Sequence, residues 1–189
     1  MKSNKNIFIV FVLMVVGVFA RLIPHVPNFT PTESIAIFGA AYLGYRYLAL
    51  LLPIGLIYFS DFIINNTIAR AYFPETEGLV FYNEYMLYTA IAIIAIVLLS
   101  KWTLRSVNTK NVILTVLAST IIFFLITNFA AWASLKSVYP ANINGLMMAY
   151  IAGLPFLKVS MLGNLLFSGV LFGSKTMIER ILESRKVIA

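Results

Sequence analysis

The chain has no cysteine, a single histidine and few charges, and each scarcity excludes something. Without cysteine there is no disulfide, no thiolate metal site and no thiol nucleophile, and the redox compartment is left open. His25, alone, has no second imidazole with which to build a metal site. Charged residues make up only 11% of the 189 residues, against 61% hydrophobic, with a mean hydropathy of +0.92. That balance lies outside the soluble globular range and indicates a polytopic membrane protein. The net charge of +7 comes from basic residues at the ends of apolar runs, not from a contiguous patch, so nucleic acid is not an expected partner. HExxH, GxSxG and Walker sequences are missing, so no catalytic role is assigned and no cofactor is expected.

What remains is hydrocarbon with punctuation. Apolar spans read as 7–23, 32–44, 47–65, 82–100, 111–133 and 155–173. They predict an all-α membrane protein, a six-transmembrane-helix bundle forming one domain over 1–189. The second span is short, with an apolar run of about 16 Å against a hydrocarbon core of about 30 Å, so it must extend at its ends or lie against protein. Residues 143–153 predict a separate short helix at the interface or capping the bundle, and 174–189 a helical extension. Residues 1–20 imitate a signal peptide, but the apolar run continues to Ile23 and Arg21 belongs with the polar residues that follow.

Basic residues set the orientation. Lys2, Lys5, Arg46, Lys101, Arg105, Lys110, Lys175, Arg180, Arg185 and Lys186 fall at one end, while Arg21, Arg70, Lys136 and Lys158 fall at or near the other. Ten against four predicts both termini in the cytoplasm of a cell with the chain in its inner membrane.

Intramembrane polar residues concentrate in the opposite, outer half. Arg21, His25, Asn28 and Glu33 surround the first connection, Asp61 and Asn65 end the third span, Glu84 opens the fourth, Asn128 and Trp132 close the fifth, and Lys158 begins the sixth. A conducting path would place polar groups along its whole depth, so this distribution predicts a cup open to the outside. Tyr58, Asp61 and Asn65 share one helical face, and Ser160, Asn164 and Ser168 another. Asp61 with Lys158, and Glu33 with Arg21, are the expected ion pairs. Buried Asn, Ser and ion pairs also serve as interhelical glue, and that structural role stands beside the ligand-binding one. The small-residue series Ala36, Ala40, Gly44 and Gly169, Gly173 permit close helix approach, within the bundle or to a partner.

The segments PNFTP (27–31), AIFGAAYLG (36–44), SDF (60–62) and GLPFLKVSMLGNLLFSGVLFG (153–173) resemble a bacterial family of small membrane proteins described only as transport proteins. That family is similar in turn to the S components of energy-coupling factor transporters. The resemblance implies six helices, an outward pocket capped by the loops after helices one, three and five, and capture of a vitamin or similar micronutrient. It also implies a membrane subunit with two ATPases as partner. The clustering of polar residues gives the substrate to Arg21, His25, Asn28, Glu33, Asp61, Asn65, Asn128, Trp132 and Lys158. S components dock through an AxxxA pattern in their first helix; here helix one offers only Gly17 and Ala20, and the best docking series is Ala36, Ala40 and Gly44 in helix two. Solitary cobalamin-transporting relatives carry a cobalt-liganding cysteine that is missing here, leaving His25 as the only imidazole in its place. The rival readings are a non-transporting assembly or interaction protein and, less favoured, an intramembrane enzyme.

Overall fold

A computed structural model describes residues 2–23, 26–44, 46–71, 77–135 and 137–188. Six helices follow one another: α1 (Lys2–Leu22), α2 (Thr32–Tyr42), α3 (Arg46–Asn66), α4 (Glu84–Thr103), α5 (Thr109–Ala133) and α6 (Ile143–Ile188), with a 3-10 turn at Ile68–Ala71. Among the described residues there is no strand. Asparagine sets three of the starts. The Asn83 side chain accepts from the Met86 N–H (3.1 Å), Asn108 from the Asn111 N–H (2.9 Å) and Asn142 from the Gly145 N–H (3.0 Å), each occupying a donor that a helix start leaves free.

By length and composition, four helices can cross a membrane: Tyr47–Ala71, Glu84–Thr103, Thr109–Ala133 and Ile143–Ser184. The apolar part of α1, Asn6–Leu22, is shorter. Their outward surfaces are apolar, with Phe8, Phe19, Leu51, Phe59, Leu98, Leu162 and Val170 all exposed, as a bundle in lipid requires.

The 11-residue α2 is the centre of the bundle and touches all five other helices. Every residue from Thr32 to Ala40 is buried, without the polar stripe that a surface helix carries. Around it pack Met14 and Val18 of α1, Ile57 of α3, Ile93 and Ile96 of α4, and Phe172 of α6, whose ring meets Phe38 edge-on at 5.3 Å. A helix too short to cross lipid is accommodated here by lying inside protein.

Two expectations about α6 change. Residues 143–153 are not a separate capping helix. They are the first turns of one 46-residue helix that runs through Pro155. A proline removes one backbone bond, which a helix packed on protein tolerates. At about 69 Å, α6 exceeds a hydrocarbon layer of about 30 Å, so it projects beyond the bundle. The tail after 174 continues it as the sequence predicts.

The described residues of the connections 23–31, 67–83 and 134–142 define one end of the molecule, the loop face. Those of the connections 43–45 and 104–108, with the α6 tail, define the other, the tail face. Seen along α5, α2 starts low. Ser34 bonds Asn164, which bonds Thr120, and α5 continues from there to Ala133, 13 residues further (133 − 120). At a helical rise this places Ser34, near the start of α2, about 20 Å below the end of α5.

Candidate functional site

At the end of α1, Arg21 is clamped to α3. Its terminal nitrogens donate to the Asp61 carboxylate (2.7 Å), the Ser60 hydroxyl and the Ile57 carbonyl (3.3 Å). Both side chains are largely buried, 10% and 18% exposed, which makes the pair a charge-assisted tie between two helices, not a rim contact. Glu33 opens α2 close by and is 2% exposed. One Glu33 oxygen and the Arg21 Nε have no hydrogen-bond partner among the described residues.

Below this lies a closed polar network. The Ser34 hydroxyl contacts the Asn164 carbonyl and side-chain oxygens (both 3.0 Å), Ser168 donates to Ser34 (3.0 Å), and the Asn164 amide donates to Thr120 (3.3 Å). All four side chains are buried, so α2, α5 and α6 are joined by mutually satisfied polar groups, as interhelical glue should be.

The open space at the loop face lies elsewhere. A cavity of about 880 Å³ is enclosed by the end of α3, the connection before α4, the start of α4 and the α5–α6 connection. Asn65, Arg70, Tyr82, Glu84, Tyr85 and Tyr139 contribute to its wall. Each wall segment is pinned. Asn66 exchanges hydrogen bonds with the Val80 backbone in both directions (2.9 Å each), Arg70 donates to the Gly78 carbonyl, and the Tyr58 hydroxyl donates to the Phe81 carbonyl (2.8 Å). On the far side the Trp132 indole donates to the Pro140 carbonyl (2.9 Å) and Ser134 donates to Glu84 (2.8 Å). The Glu84 carboxylate sits in the first turn of α4, where the helix dipole favours it. A guanidinium, a carboxylate and three phenol rings around one space can orient a molecule with both charges and a flat apolar body.

The candidate residues therefore divide. Arg21, Glu33 and Asp61 gather under the loop face, but Asp61 pairs with Arg21 and not with Lys158, and Glu33 forms no ion pair with Arg21. Lys158 is exposed on α6, away from this cluster, because the turn of α6 that carries it presents that side outward. Only Asn65 lines the cavity, donating to the Met86 sulfur (3.8 Å). Asn128 donates to the Phe124 carbonyl (2.8 Å) and fills the α5–α6 crossing at Gly153, where any added side chain would overlap it. Trp132 holds the α5–α6 connection through Pro140 and packs on Phe129 instead of facing the cavity. Asn28 is an exposed turn residue with positive φ (65°). His25 lies outside the described residues.

The docking series is also corrected. Ala36 and Ala40 are 0% and 2% exposed inside the bundle, so their small side chains let α2 fit among its neighbours and present nothing to a partner; only Gly44 is exposed. Sequence reasoning placed Glu84 in the outer polar cluster but did not bring Arg70, Tyr82, Tyr85 or Tyr139 to the cavity wall. Their signal was a charge of each sign with tyrosines flanking the connections after the third and fifth spans.

No curated protein and no solved structure matches the chain. One family model does, over residues 1–185, and with nearly its whole length matched the chain belongs to that family, DUF6580, a family of unknown function.

Proposed function

We propose that this protein captures a small solute, zwitterionic or heteroaromatic, in the loop-face cavity and serves its uptake across the inner bacterial membrane. The observation that carries the proposal is the cavity itself: about 880 Å³, between the loop-face ends of α3, α4 and α5, with Arg70 and Glu84 as opposite charges and Tyr82, Tyr85 and Tyr139 as flat surfaces. Its volume falls within the range of small-molecule sites, which run to roughly 1,000 Å³. In this reading all six helices belong to the membrane domain, the loop face is external and both termini are cytoplasmic, as the ten-to-four distribution of basic residues supports. A vitamin-like micronutrient fits the mixed charge. An energising partner with ATPases, if the S-component likeness extends so far, engages the chain away from Ala36 and Ala40, which are interior.

The test is native mass spectrometry of gently purified protein, followed by thermal-shift measurements with a panel of zwitterionic and heteroaromatic micronutrients. A retained or stabilising compound should lose at least about tenfold in affinity, or 1.4 kcal/mol, with Glu84→Gln or Arg70→Gln. No retained mass and no stabilisation across the panel would refute the assignment, as would equal binding by both variants.

A further inference from the structure

A second concavity opens toward the opposite end of the molecule, between the first turns of α5 and the stretch of α6 from Leu165 to Arg180. It measures about 940 Å³. Two glycines shape it. A side chain added at Gly169 or at Gly173 would meet nothing within 4 Å, so these residues do not bring helices together; they leave a smooth, open lane along α6. Val112 and Val116 of α5 and Leu165 and Phe172 of α6 border that lane with hydrocarbon.

Its tail-face end is cationic. Lys175 is 7% exposed, an unusual depth for an ammonium, which ordinarily extends its stem to reach water. Its nitrogen lies 3.9 Å from the centre of the Tyr42 ring and 2.7 Å from the Glu179 carboxylate. Arg180 and Thr109 complete the rim, the latter in the first turn of α5, where the helix dipole is positive. Lys175 and Arg180 against Glu179 leave one positive charge in excess. Apolar lane and cationic end together match one kind of molecule.

We propose that this cleft is a binding site for an acidic phospholipid, its phosphate at Lys175 and Arg180 and an acyl chain over Gly173 and Gly169. A partner helix would also find the lane smooth, but it would have to cover the excess positive charge with apolar side chains. An acidic lipid neutralises that excess, and by the orientation argued above it comes from the cytoplasmic leaflet, where basic pockets between helices take acidic headgroups.

The experiment uses the full chain, delipidated in mild detergent and given equal amounts of phosphatidylglycerol and phosphatidylcholine, with native mass spectrometry reporting what is retained. The wild type should prefer phosphatidylglycerol by about fivefold, as one headgroup-level positive charge in excess allows. Arg180→Gln and Lys175→Gln should each reduce the preference. Gly173→Leu should remove retention of both lipids with thermal unfolding unchanged, since it fills open space. If Lys175→Gln fails to fold, Arg180→Gln and Gly173→Leu decide the matter. Equal retention of the two lipids, or retention unaffected by Gly173→Leu, overturns the proposal. So does an oligomer abolished by Gly173→Leu, which would make the lane a helix interface, or equally tight binding of inorganic phosphate, which would make it a site for a free anion.

Discussion

Asp61 compensates Arg21 in a setting where neither is well solvated, so the two substitutions should behave asymmetrically when single and when combined. Asp61→Asn alone leaves a guanidinium without its counter-charge and should lower stability by about 2–4 kcal/mol, whereas Arg21→Met with Asp61→Leu should recover most of the loss. Thermal unfolding of the purified variants checks both, and Lys158→Met should stay within about 0.5 kcal/mol because its side chain is exposed. Asn164→Ala removes partners from Ser34 and Thr120 together and should cost about 2–3 kcal/mol in the same assay. The sequence made these residue types legible as costly groups placed for a reason. It did not make their partners legible. Arg21 meets Asp61 and not Glu33 although α1 packs on both α2 and α3, and such partner choice is long-range information that periodicity does not contain.

Among the elements, α2 was readable as the odd one from its length alone. Its shortness predicted either an extension at its ends or protein on its flanks, and the structure takes the second course, with protein on every side. Where the reading failed was in giving its alanines to a partner: a helix apolar all round carries no mark that distinguishes interior packing from an external interface. Enlarging Ala36 or Ala40 to leucine should therefore overpack the interior and lower the unfolding midpoint, by about 1–3 kcal/mol in stability, with or without any partner present. Loss of activity without loss of stability in Ala40→Leu would contradict this. The continuity of α6 was hidden by Pro155, which marks a helix end in water but is tolerated where neighbouring helices hold the chain.

For the molecule as a whole, the absence of native cysteine makes topology directly measurable. Single cysteines at Ser106 and Ser137 occupy opposite faces, so a membrane-impermeant thiol reagent added to intact cells should label Ser137→Cys and should reach Ser106→Cys only after lysis. Labelling of Ser106→Cys in intact cells would invert the proposed uptake direction. Of the predicted site residues only Asn65 lines the loop-face cavity, because the connections that build its wall are shaped by bonds such as those of Asn66 to the Val80 backbone, which periodicity does not contain. The central place of α2 also has a consequence for how the protein is made. It leaves the ribosome second, yet Asn164, which receives the hydrogen bonds of Ser34, lies 130 residues later in the last helix. Until that helix arrives, the chain in the membrane is an open shell around a segment too short to stand alone and carrying a carboxyl group that lipid does not accept. Biogenesis thus ends with a closing step, and a nascent chain released before α6 would be a substrate for quality-control proteolysis rather than a smaller version of the protein.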